Sequence, residues 1–182
     1  MSSSSTDIEL WAVAGRGDRE AFGVLFRRYY PLLYQYGSKI CADSAVVEDA
    51  IQELFAELWQ KWPAASVQSV KAYLLQALKF KLYKAFRQAR RVETGEPSEE
   101  PFELSHENLM VNDEEDREKL ARVLEAVNKL PARQKEIIYL KLYKGLSYEE
   151  VSEIMEINYQ VVRNLLCQAL KTFRKLMMML VW

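Results

Sequence analysis

Along most of this chain apolar side chains return every third or fourth position, the spacing that gathers them on one stripe of a helix. Phe22, Leu25, Phe26, Tyr29, Leu32, Leu33 and Tyr36 make the first such stripe. Asp18 is placed to cap that helix, and Pro31 is expected to kink or divide it. A second helix is expected from about Ser44 to Trp62, capped by Asp43, with Val47, Ile51, Leu54, Phe55, Leu58 and Trp62 turned inward. Its other face is polar: Glu48, Asp49, Gln52, Glu53 and Glu57. The stretch SVKAYLLQALKFKLYKAFRQARR follows as a third helix. Further on, Asp113 or Asn112 opens a helix to Leu130, Pro131 starts another that ends near Gly145, and two more complete the chain. Alternating runs long enough for a strand are missing, as are hairpin pairs such as Asn-Gly. The pattern predicts an all-α fold of two small helical domains, residues 1–91 and 113–182, joined by an acidic linker over 92–112.

Charge sharpens this division. The formal net charge is −1, yet residues 92–116 carry ten acidic side chains and no Lys or Arg, which leaves +9 on the remainder. Two basic regions are therefore separated by an acidic strip, so the near-zero total does not argue against a nucleic-acid partner. The strip itself, VETGEPSEEPFELSHENLMVN, has two prolines, one glycine and no helical period, as an extended linker does. An apolar content of 49% over 182 residues is enough to fill one core or two. No uninterrupted apolar run reaches about 18 residues, and MSSSSTDIELW lacks the basic start and apolar stretch of a secretory signal, so a cytoplasmic location is expected. Cys41 and Cys167 stand apart, with no CxxC and only His106 to help them, so neither a disulfide framework nor a metal site is expected. There is no Gly-rich phosphate loop and no nucleophile–base pairing. Neither catalysis nor a cofactor is expected.

Two segments carry the chemistry. In KGLSYEEVSEIMEINYQVVRNLLCQAL, residues 144–170, Ser147 and Glu150 can form a capping box that fixes a helix start. Leu146, Val151, Ile154 and Met155 would pack on Ile157, Val162, Leu166 and Ala169, with Met155, Glu156 and Ile157 forming the turn and Asn158 capping a helix to about Met178. That is the spacing of a helix-turn-helix. Tyr159, Gln160, Arg163 and Asn164 then face outward where such units touch base edges, Gln and Asn suiting adenine and Arg suiting guanine. Glu156 stands where a left-handed backbone favours glycine, at a cost of about 1 kcal/mol. Leu165, Cys167 and Gln168 occupy positions where phosphate contacts call for cations, leaving Arg163, Lys171, Arg174 and Lys175. A DNA reader and an ordinary helical hairpin with a solvated polar face both fit this segment. The second segment is the basic helix, where Phe80, Tyr83 and Phe86 lie among Lys79, Lys81, Lys84 and Arg87. Aromatic faces beside cations stack on exposed bases, at about 1–3 kcal/mol per base; the same aromatics also fit a core stripe.

The order of motifs resembles a sigma factor of bacterial RNA polymerase, of the two-domain extracytoplasmic function (ECF) group. AFGVLFRRYYPLLYQYG and VEDAIQELFAELWQKW are similar to the opening and core-binding helices of its promoter-melting domain, and VKAYLLQALKFKLYKAFRQARR to its basic melting helix. Leu-Pro-x-Arg-Gln followed by Gly-Leu-Ser-Tyr-Glu-Glu is similar to its minus thirty-five reader. The resemblance implies that Glu48, Asp49, Gln52, Glu53 and Glu57 meet the clamp helices of the largest polymerase subunit. It implies that the loop from Trp62 to Ser69 holds a flipped base, with Lys71, Tyr73, Lys79, Phe80, Lys81, Tyr83, Lys84, Arg87, Arg90 and Arg91 serving minus ten recognition and melting. Arg133, Ser147, Tyr159, Gln160, Arg163, Asn164 and Lys171 would contact minus thirty-five DNA. Partners implied are core polymerase, including its flap region, promoter DNA and a membrane-associated anti-sigma factor, without direct membrane insertion. Phe80 stands where the family commonly has Asn, which implies a different base capture or specificity. The competing expectations are a polymerase-binding adaptor or decoy with degenerate DNA recognition, and a helix-turn-helix repressor that works without polymerase.

Overall fold

The computed structural model describes residues 6–64, 66–93, 102–104 and 114–180, and among these every regular element is helical. The chain divides into two compact units, Met1–Ser98 and Glu99–Trp182.

The first unit opens with α1, Asp7–Ala14. The Thr6 hydroxyl accepts from the Glu9 amide while the Glu9 carboxylate accepts from the Thr6 amide, so two orphan donors are satisfied at once. Asp7 fastens α1 to α2, Arg19–Ile40, by accepting from Arg28 and from the Tyr29 hydroxyl. Burial works to raise the Asp7 carboxyl, but these two hydrogen bonds and the Arg28 charge carry it below its ordinary value. Asp18 caps α2 as expected. Of the kink or division expected at Pro31, division does not occur: α2 runs through it. Proline removes the hydrogen bond to the carbonyl four residues back, here that of Arg27, and both residues lie on the exposed side where water can take that bond.

Asp43 caps α3, Ser44–Gln60, by accepting from Ala45 and Val46. The helix stops short of Trp62, which is half-buried in the following loop. The Ser69 hydroxyl accepts from the Ala72 amide at the start of α4, Val70–Glu93. Leu25, Leu33 and Tyr36 of α2, Ile51 and Leu54 of α3, and Leu74, Leu78 and Leu82 of α4 form the core, at about 1.5–3 kcal/mol for each fully buried side chain. α2 approaches α3 so closely at Gly37 that a Cβ there would lie 2.6 Å from Val47 Cγ1.

In the second unit α5, Glu114–Asn128, leads through the N-cap Pro131 to α6, Ala132–Ile138. The helix then widens into a π-helical segment, Tyr139–Tyr143, closed by the Lys144 amide donating to the Tyr139 carbonyl. Gly145, at φ 66°, turns the chain, and α7, Tyr148–Met155, and α8, Tyr159–Leu180, follow. Within the acidic stretch, Phe102 is fully buried with its ring 5.6 Å from that of Tyr139. The Asn128 side chain holds the Leu104 backbone from both sides, accepting from its amide at 3.0 Å and donating to its carbonyl at 2.7 Å. The expected cap at Asn112 or Asp113, His106 and most of 92–112 lie outside the described residues. Cys41 is buried and Cys167 exposed, both as free thiols.

Candidate nucleic-acid interface

On α3 the inward stripe of Val47, Ile51, Leu54, Phe55 and Leu58 forces Glu48, Asp49, Gln52, Glu53 and Glu57 onto the opposite face, where all five are exposed. Two of them are engaged from α4. Lys81 Nζ lies 2.8 Å from a Glu57 carboxylate oxygen and 3.4 Å from one of Glu53, and its side chain is only 10% exposed. Lys81 therefore points across to α3, away from the outer surface of the basic helix where the sequence pattern had set it among strand-contacting cations. Next to the acids, Phe26, Tyr30 and Tyr34 form an aromatic line along α2 with ring separations of 5.5 and 6.2 Å. Burial, then the Glu48 and Tyr34 charges, push the Tyr30 hydroxyl up.

The basic helix sorts its side chains by face. Phe80, Lys84 and Arg87 recur at spacings of four and three and all point to solvent, Phe80 at 65% exposure. Tyr83 is buried, with Lys79 Nζ 5.5 Å from its ring centre, so the tyrosine serves the core stripe. The Arg90 and Arg91 side chains lie outside the described residues. At the other end of α4, Trp11 packs on Trp62 at 4.4 Å and on Tyr73 at 5.3 Å. Burial, then Glu57, push the Tyr73 hydroxyl up. Lys71 is half-buried at the same end. Trp62 rests directly on Gly15, where a Cβ would come within 2.5 Å of its indole nitrogen. Trp11 was absent from the expected site, yet the Thr6–Glu9 capping box that positions its helix was readable in TDIE.

The helix-turn-helix forms as its spacing predicts. Ser147 and Glu150 exchange capping hydrogen bonds of 3.1 and 2.8 Å. Glu156 adopts the left-handed conformation, φ 53° and ψ 42°, as the one non-glycine residue of positive φ among the described residues. The Ser152 hydroxyl donates to the Ile157 carbonyl across the turn, and Asn158 accepts from the Val161 amide to cap α8. Val151, Ile154, Met155, Val162, Leu166 and Ala169 are buried between the helices, while Ile157 is half-buried. Tyr159, Gln160, Arg163 and Asn164 are exposed on the first turns of α8, and Lys171 two turns further on. Tyr159 leans on Tyr148 at 5.4 Å, and Lys141 lies 4.3 Å over the Tyr148 ring. Arg133 is exposed at the start of α6 and Ser147 at the start of α7.

Family models give this arrangement its context. That of Sigma-70 region 2 matches residues 25–92 and that of Sigma-70, region 4 matches residues 120–173, in family order and over about two thirds of the chain. The chain belongs to the sigma-70 family, in its ECF group. Among curated relatives, the ECF RNA polymerase sigma factor SigK of Mycobacterium tuberculosis H37Rv is 28% identical, covering 94% of this chain and 93% of its own. The ECF RNA polymerase sigma factor BldN of Streptomyces coelicolor is 26% identical over 97% of this chain and 67% of its own. Among solved structures, CnrH in complex with the cytosolic domain of CnrY superposes with a TM-score of 0.64 at 22% identity, covering 93% and 96% of the two chains. RpoE of Bartonella quintana, in complex with the anti-sigma factor NepR, gives 0.60 at 22% identity over 85% and 95%. α3 and all but the last residue of α4 of this sigma-70 family member fall inside the region 2 match, and α6 to the middle of α8 inside the region 4 match.

Proposed function

We propose that this chain is a non-catalytic specificity subunit that binds core RNA polymerase in the cytoplasm, recognises promoters and opens them. The observation that carries the reading is the exposed reading face of a complete helix-turn-helix, Tyr159, Gln160, Arg163 and Asn164, on a chain that matches both sigma-70 regions in order. Docking falls to Glu48, Asp49 and Gln52 of α3, with Glu53 and Glu57 held at its edge by Lys81. Strand separation falls to Phe80, Lys84 and Arg87: a face of Phe80 can replace the stacking that a base loses on unpairing, and the two cations hold the strand's phosphates. Trp11, Trp62 and Tyr73 brace the loop between α3 and α4 against the pull of an extruded base. α8 anchors the complex on upstream duplex, with Arg133, Ser147 and Lys171 at the phosphates.

The test is run-off transcription from genomic fragments with purified core enzyme, with and without this chain. Promoter-dependent transcripts that appear only with the chain support the reading. Stable association with core but no transcript from any fragment would establish the adaptor instead, and DNA binding without association with core would establish the repressor.

A further inference from the structure

Gln160 and Asn164 lie one turn apart on the exposed face of α8, and Gln160 Nε2 donates to Asn164 Oδ1 at 3.2 Å. That bond uses one donor and one acceptor of the two amides. The Gln160 carbonyl and second N–H and both N–H groups of Asn164 stay available to a base, so the pair can present an acceptor on Gln160 beside a donor on Asn164, and reversing both amides exchanges these two roles. In the major groove adenine alone offers an acceptor, N7, beside a donor, N6; guanine offers two acceptors, cytosine a donor, and thymine an acceptor beside a methyl group. We propose that Gln160 and Asn164 act as one unit that reads a single adenine of the upstream promoter element.

The surroundings favour a fixed reading unit. The Asn158 cap and the Ser152–Ile157 hydrogen bond set the start of α8, and Tyr159, beside Gln160, is held by Tyr148. Because the two amides already restrain each other, less side-chain freedom remains to be lost when DNA arrives. Arg163 cannot substitute for them at adenine, since a guanidinium has donors only and leaves N6 unanswered. The inference rests on α8 being the upstream reader, and it adds the base and the paired mechanism.

The experiment is transcription by core polymerase with the full chain from a promoter library randomised through the upstream element, using wild type, Gln160→Ala, Asn164→Ala and the double variant. Wild type should prefer adenine at one position by about tenfold or more. Each single variant should relax that same position, and the double variant should relax it no further, as partners in one interaction do. Relaxation at two different positions, relaxation at a base other than adenine, or unchanged preferences with transcription intact would overturn this inference alone. Absence of any transcript with the wild-type chain would overturn the sigma-factor reading and this inference together.

Discussion

Replacing Glu156 with glycine should stabilise the second unit, because this corner demands a conformation that glutamate adopts at a cost. At φ 53° and ψ 42°, a residue with a Cβ carries roughly 1–2 kcal/mol of strain. Glycine carries none, but gives up more chain entropy on folding, by about 0.5–1 kcal/mol. The net gain expected for Glu156→Gly is about 0.5–1 kcal/mol, which raises the melting temperature of a unit this size by roughly 2–8 °C. Glu156→Ala separates backbone from charge: it removes the carboxylate from the negative end of α7 but keeps the strained backbone. Hydrogen exchange at the amides of α7 and α8, read beside thermal melts followed by circular dichroism, confines the measurement to this unit. Slower exchange in the glycine variant than in the alanine variant is the expected order. Equal exchange in the two, or faster exchange with glycine, would refute a left-handed corner at Glu156.

Lys81→Met keeps the buried stem and removes the charge, so it should cost the first unit about 1 kcal/mol, since the partner carboxylates are exposed. The same change should leave the salt dependence of promoter opening unaltered, whereas Lys84→Ala and Arg87→Ala should each lower the slope against log salt by about one; a slope for Lys81→Met matching theirs would return Lys81 to the DNA face. Asp7→Asn should loosen α1, seen as a change in Trp11 fluorescence and a loss of about 1 kcal/mol or less. Because the Asp7 carboxyl is held below its ordinary value, the stability it supplies is complete above that value and disappears as pH falls through its own lower one. Acid should therefore erase the difference between wild type and Asp7→Asn, and a difference that grows in acid would contradict the sign.

Local chemistry made much of this fold legible. Asp18, Asp43 and the Ser147–Glu150 box are short-range devices whose partners lie two or three residues away, and each forms as its residues specify. The corner at Glu156 was equally readable, because the spacing of Val151, Ile154, Val162 and Leu166 fixes where the turn must fall. The direction of Lys81 was not: the basic helix holds no acid between Lys71 and Arg91, and nothing in its own sequence says which lysine reaches Glu53 and Glu57. Phe102 was hidden for a related reason, since a lone aromatic in an acidic stretch gives no period, and its burial depends on Tyr139 far along the chain. Pro31 shows the limit of a local rule, as the lost hydrogen bond faces solvent and the helix continues. At the candidate site the outward character of Gln160, Arg163 and Asn164 followed from helical period, whereas the bond joining Gln160 to Asn164 depends on rotamers that period does not set.

Together with core polymerase, this chain should open promoter DNA. Permanganate reactivity of thymines on a promoter selected by run-off transcription tests it directly, because permanganate attacks thymines that have lost their stacking. Reactive thymines should appear when core and chain are both present, be missing with either alone, and fade when Phe80, Lys84 and Arg87 are changed together to Ala. A promoter that stays unreactive while core and chain are bound to it would contradict the claim.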